Sequence, residues 1–97
     1  MQKERYMWDE NKHNANIDKH GITFPEAATV FDDPNALYLL DEEHSGYEER
    51  FIIVGMSQKA NILMVCHCYR NGDTFVRIIS ARKANKYEIN QYRGGRA

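Results

Sequence analysis

The sequence has 97 residues, 42% hydrophobic and 11% aromatic, with a formal net charge of −1. This composition predicts one small globular domain over residues 1–97 and excludes a disordered chain or a membrane protein, since no run approaches the roughly 20 apolar residues of a membrane span. The opening MQKERYMWDE lacks the apolar run of a signal peptide. Cys66 and Cys68, one residue apart in a strand, point the same way but cannot readily bridge each other, so a cytoplasmic protein without disulfides is expected.

Charge is distributed unevenly along the chain. Residues 21–69 carry two basic and eight acidic side chains, whereas residues 70–97 carry seven basic and two acidic ones. Such asymmetry is typical of a protein that binds an anion, a partner protein or nucleic acid. An acidic loop that simply folds beside a basic tail would give the same pattern.

The first third of the chain predicts a short strand and two helices. The strand covers 5–8, and the first helix begins after the N-cap Asp9 and ends near His20, where Gly21 is a typical C-terminal stop. Thr23 predicts the N-cap of the second helix, which has Pro25 in its first turn. Its packing face is expected to contain four apolar side chains: Phe24, Ala27, Ala28 and Phe31.

The rest of the chain predicts an antiparallel meander followed by a helix. The four strand candidates cover 36–40, 50–56, 62–69 and 74–80. Asn71-Gly72 joins the last two, because both central residues of a type I′ turn need positive φ. Ser80 is a natural N-cap, which predicts a final helix from Ala81 to about Tyr92, with Tyr92 in the core.

The first predicted helix is unusually polar, since only Ala15 and Ile17 are apolar between its caps. At helical spacing Lys12, Asn16 and Lys19 form one stripe, which predicts a positive, hydrogen-bonding surface for phosphates. The alternative is a solvated face anchored only by Ile17, with Trp8 packed beneath the helix.

An arginine lies in the middle of the last predicted strand, within FVRIISA. Burying Arg77 without a partner would be costly, so it either pairs with a carboxylate such as Glu49 or Glu88 or binds an anion. Strand alternation leads us to expect a partly open sheet face from which Arg77 projects together with other polar side chains: Arg50, His67 and Tyr69.

The stretch VCHCY contains residue types that bind metals, but its spacing argues against a site. In a strand, His67 points away from Cys66 and Cys68, and no second cysteine pair could complete a tetrahedral set. Buried thiols are therefore the prediction here. The sequence also lacks a P-loop, a G-x-G-x-x-G and an H-E-x-x-H, so neither a metal nor a cofactor is expected.

Three stretches, WDENKHNANIDKHGITFPEAATVFDDP, EERFIIVG and RIISARKANKYEINQY, resemble the BrnT-type toxins of bacterial type II toxin-antitoxin modules. The resemblance implies a RelE-like α+β fold, with two N-terminal helices packed on an antiparallel meander and a C-terminal helix. It also implies an endoribonuclease that needs no metal, inhibits translation and growth, and is neutralised by a cognate ribbon-helix-helix antitoxin. Operator DNA would be bound only indirectly, through the antitoxin complex.

RNA cleavage of this kind needs a base, an acid and cations for the developing phosphorane charge. His20 or His67 could be the base or acid, although His20 could instead bond the end of its helix, and Arg50 and Arg77 could stabilise the charge. Five further residues are expected to bind RNA by charge or by stacking: Trp8, Lys12, Lys19, Tyr69 and Arg82.

A different class of function fits the same sequence. The chain could be a catalytically silent interaction module that docks a partner through the polar helix and an acidic loop, and a net charge near zero is unusual for an RNA binder. The acidic loop is defined by five residues: Asp41, Glu42, Glu43, Glu48 and Glu49. A small DNA-binding repressor is a weaker alternative, because no helix pair resembles a helix-turn-helix.

Overall fold

The fold is α+β, and the computed structural model describes residues 5–46, 48–72 and 74–94. The three helices are α1 (Glu10–His20), α2 (Phe24–Thr29) and α3 (Lys86–Gly94), and short 3-10 turns cover Val30–Asp32 and Glu42–His44. The five strands are β1 (Tyr6–Met7), β2 (Leu37–Leu40), β3 (Phe51–Met56), β4 (Ile62–Arg70) and β5 (Phe75–Lys83). Within the described ranges, no helix has both the length and the apolar character needed to cross a bilayer.

All five strands form one sheet with the order β1-β5-β4-β3-β2. β2 to β5 are an antiparallel meander, as predicted, and β1 adds a short parallel strand beside Val76 and Arg77. In the β4–β5 connection Asn71 and Gly72 both have the predicted positive φ, 53° and 61°. The pair that closes the loop is Arg70 with Phe75, so the connection is wider than the predicted two-residue type I′ turn.

The predicted caps of the first two helices are confirmed. The Asp9 carboxylate accepts from Lys12 N–H, Gly21 closes α1 in the left-handed conformation, and the Thr23 hydroxyl accepts from Glu26 N–H. These bonds satisfy helix-end groups that would otherwise lack partners. Local sequence therefore sets where α1 and α2 begin.

The core lies on one side of the sheet, which we call the helix face because α1 and α2 cover it. Phe24 and Ala27 of α2 are fully buried there, and Ala28 and Phe31 pack against the same cluster, as predicted. The buried cluster also contains Ile22, Val30 and six strand residues: Ile53, Leu63, Val65, Val76, Ile78 and Ala81. Burial of this apolar surface is the main favourable contribution to folding.

The predicted start of the last helix is wrong. Ser80 is not a helix cap, because β5 continues to Lys83, where it pairs with Leu63 of β4. The helix begins at Lys86 instead, and Asn85 and Glu88 form a capping box in which each side chain accepts from the other residue's backbone N–H. Continued pairing with β4 outweighs the local preference of Ser80 for a helix start.

A β-bulge interrupts β5 and changes which face its later residues occupy. Cys66 pairs with Ser80 and His67 with Ile78, so Ile79 is an extra residue without a partner in β4. Side chains in a regular strand alternate, and Arg77 and Arg82, five positions apart, would point to opposite faces. The bulge brings them to the same face.

Candidate active site on the arginine face

The sheet face opposite the helix face carries four arginines: Arg50, Arg70, Arg77 and Arg82. We call it the arginine face. Three of them lie in the neighbouring strands β4 and β5, and Arg50 immediately precedes β3. Cys68 of β4 pairs with Arg77 of β5. On the other side of β4, Phe51 pairs with His67, so Arg50, the residue before Phe51, lies beside Cys68. Arg77 and Arg50 therefore flank Cys68. Two strand spacings separate their backbones by about 10 Å.

Two of these arginines hold neighbouring segments against the sheet. Arg70 pairs with Glu48 at 2.9 Å, and Arg82 makes two parallel bonds to Glu88 at 2.8 and 2.9 Å. Burial by itself would raise the pKa of Glu88, but hydrogen bonds from Arg82 and from Asn85 N–H, together with the Arg82 charge, lower it. Glu88 is therefore a carboxylate at neutral pH and fastens α3 to β5.

Arg50 and Arg77 have a different environment. Across residues 5–46, 48–72 and 74–94, no hydrogen bond or ion pair engages either guanidinium, although both side chains are half-buried. The prediction that Glu88 could pair with Arg77 is wrong, because Glu88 is held by Arg82. A half-buried guanidinium without a carboxylate is well suited to binding an anion such as a phosphodiester.

Two buried thiols form the floor between these arginines. Burial, followed by the nearby Asp41 charge, raises the pKa of Cys66 to about 11, and burial and then Glu48 raise the pKa of Cys68. Both cysteines are buried, as the sequence predicts, and their raised pKa keeps them protonated thiols that are poor nucleophiles and poor metal ligands. Within the described part of the chain, no group of three or more His, Cys, Asp or Glu side chains could hold a metal ion.

The acidic loop lies against the same face and contains a histidine that sequence reasoning missed. Asp41 is buried, its carboxylate accepts from the Cys66 thiol at 3.8 Å, and the same carboxylate lies 3.0 and 3.2 Å from Nδ1 of His44. The spacing D-x-x-H, three residues apart, is the only sequence signal for this pair. In the sequence this pair is indistinguishable from the charged residues around it.

The polar helix α1 is anchored differently from either prediction. Asn16 is buried and does not face solvent: its side-chain amide donates to Ala81 O at 2.8 Å and to Ile22 O at 2.9 Å, and its oxygen accepts from Ala81 N–H at 3.0 Å. His13 stacks on Phe24 with ring centroids 5.0 Å apart, whereas Ile17, the predicted anchor, is 38% exposed. Packing of Asn16 and His13 explains how so polar a helix stays on the core.

A family model for the ribonuclease toxin BrnT of type II toxin-antitoxin systems matches residues 8–88. The chain belongs to the BrnT ribonuclease toxin family. Its fold is also similar to the crystal structure of the BrnT ribonuclease toxin of Brucella abortus, with a TM-score of 0.63 and 23% sequence identity over 84% of this chain and 96% of that one. No curated protein matches the chain. A type II toxin is one half of a pair, so membership of the BrnT family implies an antitoxin partner.

The BrnT-family match contains every predicted site residue, but the structure does not bring them all together. The prediction that His67 and Tyr69 share an open face with Arg77 is wrong, because both lie on the helix face. His67 is 0% exposed between Phe31 and Tyr69, and burial lowers its pKa to about 4. Cross-strand pairing decides the faces, and Arg77 lies opposite Cys68, not His67.

The remaining predicted RNA-binding residues are dispersed. Lys12 and Lys19 are exposed on α1, and His20 is half-buried at its end. Trp8 donates to Glu10 at 3.1 Å and packs edge-on against Phe24. Trp8 also lines a groove of about 1040 Å³, whose other walls include Tyr6, Asp32, Asp33 and Tyr92.

The prediction of Arg82 in the first turn of a helix is also wrong, since Arg82 lies in β5 on the arginine face. Tyr92, predicted to be in the core, is half-buried and donates to Asp33 at 2.6 Å. The Arg82–Glu88 pair and the Tyr92–Asp33 hydrogen bond hold the two ends of α3.

Proposed function

We propose that this protein is the toxin of a type II toxin-antitoxin system and cleaves RNA on the arginine face without a metal ion. The observation that carries the proposal is the pair Arg50 and Arg77, two half-buried guanidinium groups that flank Cys68 and have no carboxylate partner among the described residues. Membership of a ribonuclease toxin family supplies the reaction class.

In this proposal a phosphodiester binds across the two strands that flank β4. The planar guanidinium forks bind its non-bridging oxygens, and the 2′-hydroxyl of the preceding nucleotide attacks the phosphorus. Charge then develops on the equatorial oxygens, and Arg50 and Arg77 stabilise it more strongly than they stabilise the substrate. Lys12 and Lys19 are exposed on α1, which covers the opposite face of the sheet, and are left out of this proposed contact.

The proposal also covers the cellular role of the protein. We infer that cleavage in the cytoplasm inhibits translation and growth, and that a ribbon-helix-helix antitoxin neutralises the toxin and carries the complex to operator DNA. The chain itself contacts DNA only through that complex. Support comes from the family match.

The proposal is tested by incubating the purified chain with bulk bacterial RNA in excess EDTA. Wild type is expected to cut, and Arg50→Ala to lose about 100-fold or more in rate, because one charge-stabilising donor is typically worth that much. Lys59→Ala, in the exposed turn between β3 and β4, removes an equal charge away from this face and is expected to leave the rate unchanged.

Two results would contradict the proposal. Intact RNA after incubation with folded wild type, alone and with ribosomes, would favour a silent docking module. An equal loss in Lys59→Ala and Arg50→Ala would mean that only net charge matters.

A further inference from the structure

The His44 and Asp41 side chains form a pair beside the arginine face to which the proposed function has so far given no role. We infer that His44 is the general base of the RNA cleavage, and that Asp41 is its positioning residue. This inference rests on the proposed function, because it names the group that takes the 2′-hydroxyl proton at the same site.

Asp41 is fixed in place by its backbone as well as by its carboxylate. Its N–H donates to Arg50 O at 2.8 Å, and its carbonyl accepts from the Ser45 hydroxyl at 2.8 Å. The Ser45 oxygen in turn accepts from Arg50 N–H at 3.0 Å. The base of the acidic loop is therefore closed on Arg50, one of the two proposed phosphate-binding arginines.

The Asp41 carboxylate determines how the His44 ring is oriented. A carboxylate only accepts hydrogen bonds, so Nδ1 of His44, 3.0 Å from Oδ2, carries the hydrogen. In the neutral ring Nε2 is then left as the acceptor, which is the form a general base requires. The His44 side chain is 63% exposed, so Nε2 is accessible from solvent, whereas the Asp41 side chain is only 10% exposed.

The other histidines do not combine these properties. His67 is fully buried on the helix face, and His13 is stacked between Trp8 and Phe24 with its side chain 15% exposed. The His20 side chain has no hydrogen bond or ion pair within residues 5–46, 48–72 and 74–94. His44 is the histidine that is both oriented by a buried carboxylate and open to a large substrate.

The proposed step balances without a cofactor. Nε2 of His44 takes the proton from the 2′-hydroxyl as the 2′-oxygen bonds to phosphorus, and the bond from phosphorus to the 5′-oxygen breaks. The leaving oxygen takes a proton from water, and the imidazolium returns its proton to solvent. The products are a 2′,3′-cyclic phosphate and a 5′-hydroxyl.

The test compares His44→Ala with Glu43→Gln, an exposed neighbour in the same 3-10 turn. His44→Ala is expected to lower kcat by about 10²- to 10⁴-fold, the usual contribution of a general base, and Glu43→Gln to leave it unchanged. Because the site is open, added imidazole should restore part of the activity of His44→Ala and none of the activity of Arg77→Ala. The RNA fragments of wild type should end in a cyclic phosphate.

Asp41→Asn tests the positioning role. The amide keeps a hydrogen-bond acceptor for the Cys66 thiol but can present its donor to the ring, which favours the wrong tautomer. A lower kcat with unchanged KM for RNA is expected, and Asp41→Glu should retain more activity than Asp41→Asn.

The outcomes separate this inference from the function on which it rests. If wild type cleaves RNA and folded His44→Ala cleaves it equally fast, or is not rescued by imidazole, His44 is not the base, although the arginine face remains the site. If wild type cuts no RNA, both the proposed function and this inference are overturned.

Discussion

His67 has a side chain that could act as a base or acid, but it lies on the helix face, away from Arg50 and Arg77. It is surrounded by Phe31, Phe51 and Tyr69, and its Nδ1 lies 3.3 Å from Val65 O. Its Nε2 is buried without a partner in the described part of the molecule. A neutral imidazole is tolerable in this position, but a protonated one is not, because burial penalises the charge.

We therefore expect His67 to make the fold sensitive to acid. Its pKa is about 4 in the folded protein and 6.5 in the unfolded chain, so the unfolded state binds the extra proton between those values. The stability contributed by neutral His67 is fully present above pH 6.5. It is lost progressively as the pH falls from 6.5, and the loss is complete once the pH has passed below 4. At pH 5 the loss is about 2 kcal/mol.

Urea unfolding of wild type and His67→Leu between pH 7.5 and 4.5 measures this effect. Leucine has a similar volume and no titrating group, so the wild type should lose about 2 kcal/mol more than the variant by pH 5. Parallel pH dependence in the two proteins would mean that His67 does not titrate as its burial implies.

At this scale the sequence predicted side-chain alternation correctly but could not tell which face is covered. Leu63, Val65, His67 and Tyr69 share one face, as regular alternation in a strand requires. Both faces of β4 are apolar over part of their length, so its own pattern does not say which of them packs against the helices. The pairing of β4 with β5 decides which face packs against the helices, and this pairing cannot be deduced from the sequence of β4 alone.

Among the elements, α1 illustrates how a polar helix is retained. Asn16 makes three buried hydrogen bonds, two of them to the backbone of Ala81 beyond the short β1 strand. The Asn16 amide thus bonds the Ala81 N–H and C=O groups that a neighbouring strand would otherwise pair with. The helix is joined to the sheet by polar groups that would otherwise be buried without partners.

Asn16→Ala should consequently cost about 3 kcal/mol of unfolding free energy, because it leaves the Ala81 N–H and C=O unsatisfied. Asn14→Ala is the matched control, an exposed asparagine on the same helix, and should change stability by less than about 0.5 kcal/mol. Urea unfolding followed by circular dichroism measures both. Equal stability of the two variants would show that Asn16 does not anchor α1.

Element boundaries were predictable where capping chemistry is local and unpredictable where pairing overrides it. Asp9, Gly21 and Thr23 mark their helix ends as expected. Ser80 does not, because β4 provides partners for β5 as far as Lys83. The bulge at Ile79 has no clear signature in RIISARK, yet it brings Arg77 and Arg82 to one face.

For the molecule as a whole, the sheet separates folding from the proposed chemistry. The main apolar cluster lies on the helix face, whereas Arg50, Arg77 and the Asp41–His44 pair lie on or beside the arginine face. Substitution of Arg50, Arg77 or His44 should therefore change activity with little effect on stability, and substitutions in the apolar cluster should do the reverse. A net charge of −1 is compatible with RNA binding because Arg50 and Arg77 have no carboxylate partner among the described residues of this face.

The most direct test of this separation is the RNA cleavage rate of two folded variants, Arg77→Ala and His67→Leu, measured beside wild type at pH 7.5 in EDTA. We predict that Arg77→Ala loses about 100-fold or more and that His67→Leu cleaves at the wild-type rate. Loss of cleavage in folded His67→Leu, with Arg77→Ala still active, would place the active site on the helix face and contradict this account.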